Sequence, residues 1–133
     1  MCAILGLAGE AVGGSDEWFI SALAAMRHRG PDDHGVWAAP DCDVRLGHRR
    51  LSIIDLSRAG HQPLCDVDRR AWTVFNGEIY NHVELRRELQ SYGYSFRSAS
   101  DTEVMVNAYL KWGDNFVERL IGMFAFAIYD CDR

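Results

Sequence analysis

The chain has 133 residues and a formal net charge of -5, with 48% hydrophobic and 25% charged residues. This is the composition of one soluble globular domain, large enough to bury roughly two-thirds of its unfolded surface. The acidic balance excludes a phosphate-backbone nucleic-acid binder, which would carry a basic stripe, and no apolar run approaches membrane-spanning length.

The chain opens with Met1-Cys2-Ala3. A residue as small as cysteine after the initiator allows that methionine to be trimmed, which would leave Cys2 with a thiol and a free α-amine. A free thiol titrates near ~8.5 and an α-amine near ~7.7–8.0, so proton transfer between them costs only about 1 kcal/mol. The amine can then serve as general base for its own side chain. Ala3–Leu7 reads as a short buried strand, with Cys2 at its start. Gly13-Gly14 breaks the chain, and Ser15 or Asp16 caps a helix to about Arg27, with Phe19, Leu23 and Met26 as its apolar stripe. Arg27–Gly35 is a polar loop. Strands follow at Gly35–Ala39 and Val44–Arg50, joined across Pro40-Asp41. Ser52–Leu56 is a further short apolar piece, and Gly60-His61-Gln62-Pro63 is a turn.

Ala71–Phe75 is a strand expected to stop at the turn dipeptide Asn76-Gly77. The next helix has Asn81 as cap, Glu84 as capping-box partner, Leu85, Leu89 and Tyr92 as its buried face, and Gly93 at its C-terminus. Ser95–Arg97 reads as a brief strand. Ser100 or Asp101 caps a helix that ends at Gly113. The last strand, Met123–Asp130, directs Phe124, Phe126 and Ile128 to one face and Met123, Ala125, Ala127 and Tyr129 to the other. Both faces are apolar, so a covering layer is expected on each. Connections too short for crossovers predict antiparallel sheets with helices packed outside, an α+β fold.

Amide-cleaving chemistry with a thiol needs donors for the oxyanion, and Asn76-Gly77 supplies a side-chain amide and an unshielded N–H, although a plain hairpin turn is the simpler use. An amino-acid substrate needs a cation for its carboxylate and an anion for its ammonium. Arg50, at a strand end, suits bidentate carboxylate recognition. Asp101 is a carboxylate at a helix start, where simple capping is the alternative. The five histidines (28, 34, 48, 61, 82) show no ligand spacing and read as loop and surface residues, so no metal site is expected. Cysteines at 2, 42, 65 and 131 form no Cys-x-x-Cys pair and fit a reducing cytoplasm with free thiols. No export signal or membrane anchor is expected.

Six segments now stand together: Met1-Cys2, Arg27–Asp32 (RHRGPD), His48–Asp55 (HRRLSIID), Phe75–Asn81 (FNGEIYN), Ser100–Glu103 (SDTE) and Gly122–Ala127 (GMFAFA). In this order they resemble the glutaminase domain of class II glutamine amidotransferases, which are N-terminal-nucleophile hydrolases. The Arg-Gly-Pro-Asp-Asp and Phe-Asn-Gly-Glu-Ile-Tyr-Asn runs look most like the branch of glutamine-hydrolysing asparagine synthetases. The resemblance covers residues 1–133 and implies a four-layer αββα sandwich. It further implies Cys2 as nucleophile, Asn76 and Gly77 as oxyanion hole, and Arg50 and Asp101 on the α-carboxylate and α-ammonium of L-glutamine. Glu78 would help define the pocket, lined by Leu51, Ile53 and Ile54.

No cofactor is expected in this domain. ATP and Mg are expected only in a C-terminal synthetase domain, whose pyrophosphate loop is not found in these residues. Further strands in that family follow the last one here, so the chain is expected to be truncated and, in isolation, to be poorly soluble, to pair edge to edge with a second copy, or to show weak glutaminase activity. Two other readings stay open at this point: an N-terminal-nucleophile acylase of different specificity, and a non-catalytic or incompletely folded glutamine-binding remnant. Activity on glutamine separates the first; failure of Cys2 to react with a glutamine-like affinity label favours the second.

Overall fold

Side chains of β3 (Val44–Arg50) alternate between two faces, and each face meets a different layer. Gly47 lies against Phe19 and Leu23 of α1 (Asp16–Ala25), beside which Arg45 pairs with Asp16 and Arg49 Nε donates to the Leu23 carbonyl at 3.0 Å. Leu46, His48 and Arg50 point the other way and are buried. β3 is the centre of an antiparallel sheet, flanked by β1 (Ala3–Ala8) and β2 (Asp33–Ala38). The structure is a computed structural model and describes residues 1–9, 16–40 and 44–133.

A second antiparallel sheet holds β4 (Leu64–Cys65), β5 (Ala71–Ile79) and β6 (Gly122–Asp130) in that order. Its inner face meets the first sheet, where Trp72 stacks on Trp37 with ring centroids 4.8 Å apart. On its outer face Phe75 and Ile79 pack with Leu85 and Leu89 of α2 (His82–Ser91) and with Val104, Met105 and Ala108 of α3 (Asp101–Trp112). The layers therefore run α1, first sheet, second sheet, α2 with α3. This is the αββα sandwich.

Local chemistry departs from expectation at several points. β5 does not stop at Asn76-Gly77 but continues to Ile79, with Asn76 opposite Ala125 and Gly77 opposite Phe124. A Cβ at Gly77 would stand 2.3 Å from the Met123 carbonyl oxygen, so this glycine serves close strand approach and not a turn. No strand forms at Ser95–Arg97. The buried Glu103 carboxylate takes the N–H groups of Arg97 (2.9 Å) and Ser98 (2.8 Å), leaving them nothing to offer a ladder.

Asn81 precedes α2 without capping it. Its side chain donates to the Arg119 carbonyl and accepts from the Ile121 N–H, each at 2.9 Å. No capping box with Glu84 forms. Gly93 does close the helix, its N–H bonding the Gln90 carbonyl at 3.0 Å. Tyr92 is exposed, with the Lys111 ammonium 4.0 Å above its ring, and is not part of the buried face.

α1 ends at Ala25 and passes into a 3-10 turn over 26–28. Residues 52–56 form no strand; Ile53 and Leu56 project outward. Phe124, Phe126 and Ile128 of β6 pack toward the helices as expected. On the opposite face Tyr129 lies 5.2 Å from Trp37 in the second half of the strand, whereas Met123 and Ala125 are exposed; among the described residues β6 is an edge strand. His48, expected on the surface, is fully buried at the centre of the first sheet, opposite Gly35. Gly13-Gly14, Ser15, Asp41 and Cys42 lie outside the described residues.

Candidate active site

Register brings the site together. Ala3 of β1 lies opposite Arg49 of β3, so Cys2 falls beside Arg50 on the face turned toward the second sheet. From that second sheet, alternation sends Asn76 inward with Trp72 and Val74. The Leu51 N–H donates to Cys2 Sγ at 3.3 Å, and Sγ lies 3.6 Å from the Leu51 carbonyl oxygen. The thiol is thus fixed at the mouth between the sheets by the chain leaving β3.

A cavity of about 230 Å³ opens there. All nine residues singled out in the sequence line it: Cys2, Arg50, Leu51, Ile53, Ile54, Asn76, Gly77, Glu78 and Asp101. Met1 lines it too and stands 73% exposed at its lip. Asn76 Oδ1 is buried with no hydrogen-bond partner. Such orphaned polar atoms are rare in folded proteins and mark places where a further group is to be met.

Arg50 is held by the loop that follows it. Nη1 donates to the Ser57 carbonyl at 2.9 Å and Nη2 to that of Asp55. These bonds use two of the five guanidinium donors. A Cβ at Gly60 would stand 2.2 Å from Nη2, so that glycine makes the space the guanidinium occupies. Asp101, at the first turn of α3 behind the Ser100 cap, is buried and accepts the Ile79 N–H at 3.0 Å on Oδ2. Burial raises its pKa against the pull of that hydrogen bond.

Sequence reasoning missed Asp55, Gly60, Gln62 and Thr102, which also line the cavity. Asp55 accepts the N–H groups of Ser57 at 2.8 Å and Ala99 at 2.9 Å, tying the 51–57 loop to the start of α3. Burial pushes its carboxyl up, but these bonds and the Arg50 charge outweigh it and hold the pKa below the ordinary value. Gln62 accepts the Phe75 N–H at 2.7 Å and donates to Thr102 Oγ1 at 3.2 Å. Asp55 and Thr102 stood inside the HRRLSIID and SDTE segments without a role being given to them, and for Gly60 and Gln62 the signal was the turn Gly60–Pro63, which says nothing about where its side chains reach.

A thiol, an amide side chain, a backbone glycine, a cation and a carboxylate therefore share one cavity. That set suits nucleophilic attack on the amide of a zwitterionic amino acid.

The sequence matches the family described as glutamine amidotransferase domain over residues 1–133. It is 48% identical over 103 residues to a Bacillus subtilis protein named asparagine synthetase (glutamine-hydrolyzing) 1, covering 77% of this chain and 16% of that protein. With asparagine synthetase (glutamine-hydrolyzing) 2 of Oryza sativa it shares 43% identity over 132 residues, covering 98% of this chain and 22% of that one. The chain thus spans about a fifth of the length of these curated relatives, 16% and 22%. The solved structure of glutamine phosphoribosylpyrophosphate amidotransferase from B. subtilis, complexed with ADP and GMP, superposes with a TM-score of 0.73 at 20% identity. It covers 97% of this chain and 34% of that one, a likeness of fold.

Proposed function

The chain belongs to the glutamine amidotransferase domain family, and from that premise we propose that its cavity hydrolyses L-glutamine to glutamate and ammonia through a γ-glutamyl thioester on Cys2. The observation that carries this reading is the meeting of the Cys2 thiol, the Asn76 side-chain amide and Gly77 in one cavity with Arg50 and Asp101.

With Met1 removed, the Cys2 α-amine takes the thiol proton and the sulfur attacks the side-chain amide carbon of glutamine. The Asn76 Nδ2–H and the Gly77 N–H donate to the oxyanion. As the C–N bond breaks, the amine returns its proton to the departing nitrogen, which leaves as ammonia. A water then attacks the thioester, the amine takes its proton, and the C–S bond breaks to give glutamate and the free thiol. Arg50 binds the α-carboxylate through its unused donors. Asp101 Oδ1 faces the α-ammonium, its Oδ2 being engaged by Ile79. Glu78, Leu51, Ile53 and Ile54 shape the pocket.

In a protein of the length of its relatives, the ammonia goes to an ATP-activated aspartate in a C-terminal synthetase domain, and ATP and Mg belong to that domain. A cytoplasmic location suits a catalytic thiol that must stay reduced.

Intact-mass measurement is expected to show loss of Met1, and Cys2→Ala to abolish glutamine hydrolysis. Asn76→Ala is expected to lower kcat by about 10²–10³, the usual cost of removing one oxyanion donor, with little effect on KM. Retention of Met1 in active protein, or an Asn76→Ala effect confined to KM, overturns the mechanism.

A further inference from the structure

We infer that His48 and Gln62 are positioning residues for the oxyanion donors: they hold the Phe75 C=O and N–H on one edge of the strand and so aim the next N–H on that edge, that of Gly77, into the cavity. The inference rests on the glutaminase reading and adds to it two residues that need not touch substrate.

The argument begins with β4, which pairs with β5 only at Trp72 and Thr73. Among the described residues, no strand lies beside that edge of β5 beyond Thr73. In an extended strand the N–H and C=O of every second residue point to the same edge. Thr73, Phe75, Gly77 and Ile79 therefore present theirs on the β4 side. Phe75 is 2% exposed, and an unsatisfied backbone group in such a place costs about 1–3 kcal/mol.

Two side chains stand in for the missing strand. Gln62 Oε1 accepts the Phe75 N–H at 2.7 Å, and His48 Nε2 meets the Phe75 carbonyl at 3.0 Å. Because the partner is a carbonyl oxygen, Nε2 carries the proton and the ring is the Nε2–H tautomer. Nδ1 is left buried without a partner. Two residues farther on, Asp101 Oδ2 holds the Ile79 N–H at 3.0 Å. The edge is held at Phe75 and at Ile79, on either side of Gly77, which lines the cavity.

The grips are themselves linked. Gln62 Nε2 donates to Thr102 Oγ1 at 3.2 Å, and Thr102 follows Asp101 at the start of α3. Gln62, Thr102 and His48 are each at most 5% exposed, so packing leaves none of them another orientation. The strand that carries Asn76 and Gly77 is thus located against sheet one through His48 and against α3 through Gln62 and Asp101. Misplacing a catalytic group by about 1 Å can cost 10²-fold in rate.

The test is a double-mutant cycle in the native protein, with glutamine hydrolysis as readout. Gln62→Met and His48→Leu are expected to lower kcat by about 10–100-fold with KM for glutamine within about twofold. His48→Gln, which keeps a donor near the Nε2 position, is expected to recover most of the loss. Combined with Asn76→Ala, either damaging substitution should cost much less than it does alone, because both act through the same oxyanion. Full additivity with Asn76→Ala, or an effect carried by KM, overturns the inference while leaving the glutaminase reading intact. An Asn76→Ala protein with undiminished kcat removes that reading instead. Should the variants not fold, ¹⁵N-histidine NMR of the unaltered protein decides: the Nε2–H neutral tautomer of His48 at pH 7 is expected, and an Nδ1–H tautomer or an imidazolium overturns the assignment.

Discussion

His48 carries a measurable acid sensitivity at the scale of one residue. Burial above all, with the Arg50 charge, lowers its pKa from 6.5 to about 4, against the raising effect of the Phe75 bond and the Asp33 charge. The unfolded chain therefore binds a proton between those values that the folded one refuses. The corresponding stability is complete above pH 6.5 and is lost as pH falls toward 4, to the extent of about 3 kcal/mol. Urea unfolding of His48→Gln across this range is expected to show a shallower acid loss by about that amount; parallel curves would refute the assignment. Such a role was illegible in the sequence. Spacing identifies histidines that bind metals, but burial of a single one depends on which strand covers it. Cys2, Arg50, Asn76 and Asp101 were legible because their chemistry needs few partners and each sits in a motif. Gln62 was not, because its function is to replace a strand that the sequence does not show to be short.

Among the elements, β5 shows why strand ends are hard to read. Asn-Gly is the strongest short-range hairpin signal, yet here the glycine is needed because Met123 and Phe124 of β6 come too close for a side chain. Gly77→Ala is therefore expected to destabilise the fold by about 1–3 kcal/mol, as in other overpacked positions, and to depress hydrolysis. Thermal unfolding alongside kcat checks it, and an unchanged melting temperature would contradict the packing argument. The same logic covers Ser95–Arg97 and Asn81, whose backbone and side-chain groups were captured by Glu103 and by residues 119 and 121. Periodicity found the helices because their apolar faces recur locally. It could not find these captures, which join residues distant in sequence. The cap of α3, by contrast, is local and was narrowed to Ser100 or Asp101 in the sequence; Ser100 is the cap, its side chain accepting the Thr102 N–H at 3.1 Å.

For the whole molecule, β6 is an edge among the described residues, with Met123 and Ala125 uncovered beside it. The isolated 133-residue chain is expected to self-associate through that edge. Ala125→Lys should suppress the association without harming the fold, since this side chain is exposed and not against a packed layer as the apolar pattern implied. Size-exclusion chromatography across concentrations checks both; a monodisperse unaltered chain would show that the edge is inert. Antiparallel sheets with helices outside were legible from the short connections and the apolar last strand, whereas the four-layer order was legible only through the resemblance carried by the six motifs. A last consequence follows from the placement of Cys2 ahead of β1, with its partners at 50, 76, 77 and 101. During synthesis Cys2 is made well ahead of Asp101, by on the order of ten seconds at ordinary elongation rates. Throughout that interval the thiol has no cavity around it and is open to oxidants. Initiator trimming is under no such deadline: Met1 stays exposed at the lip of the finished cavity, within reach of an aminopeptidase after folding is done.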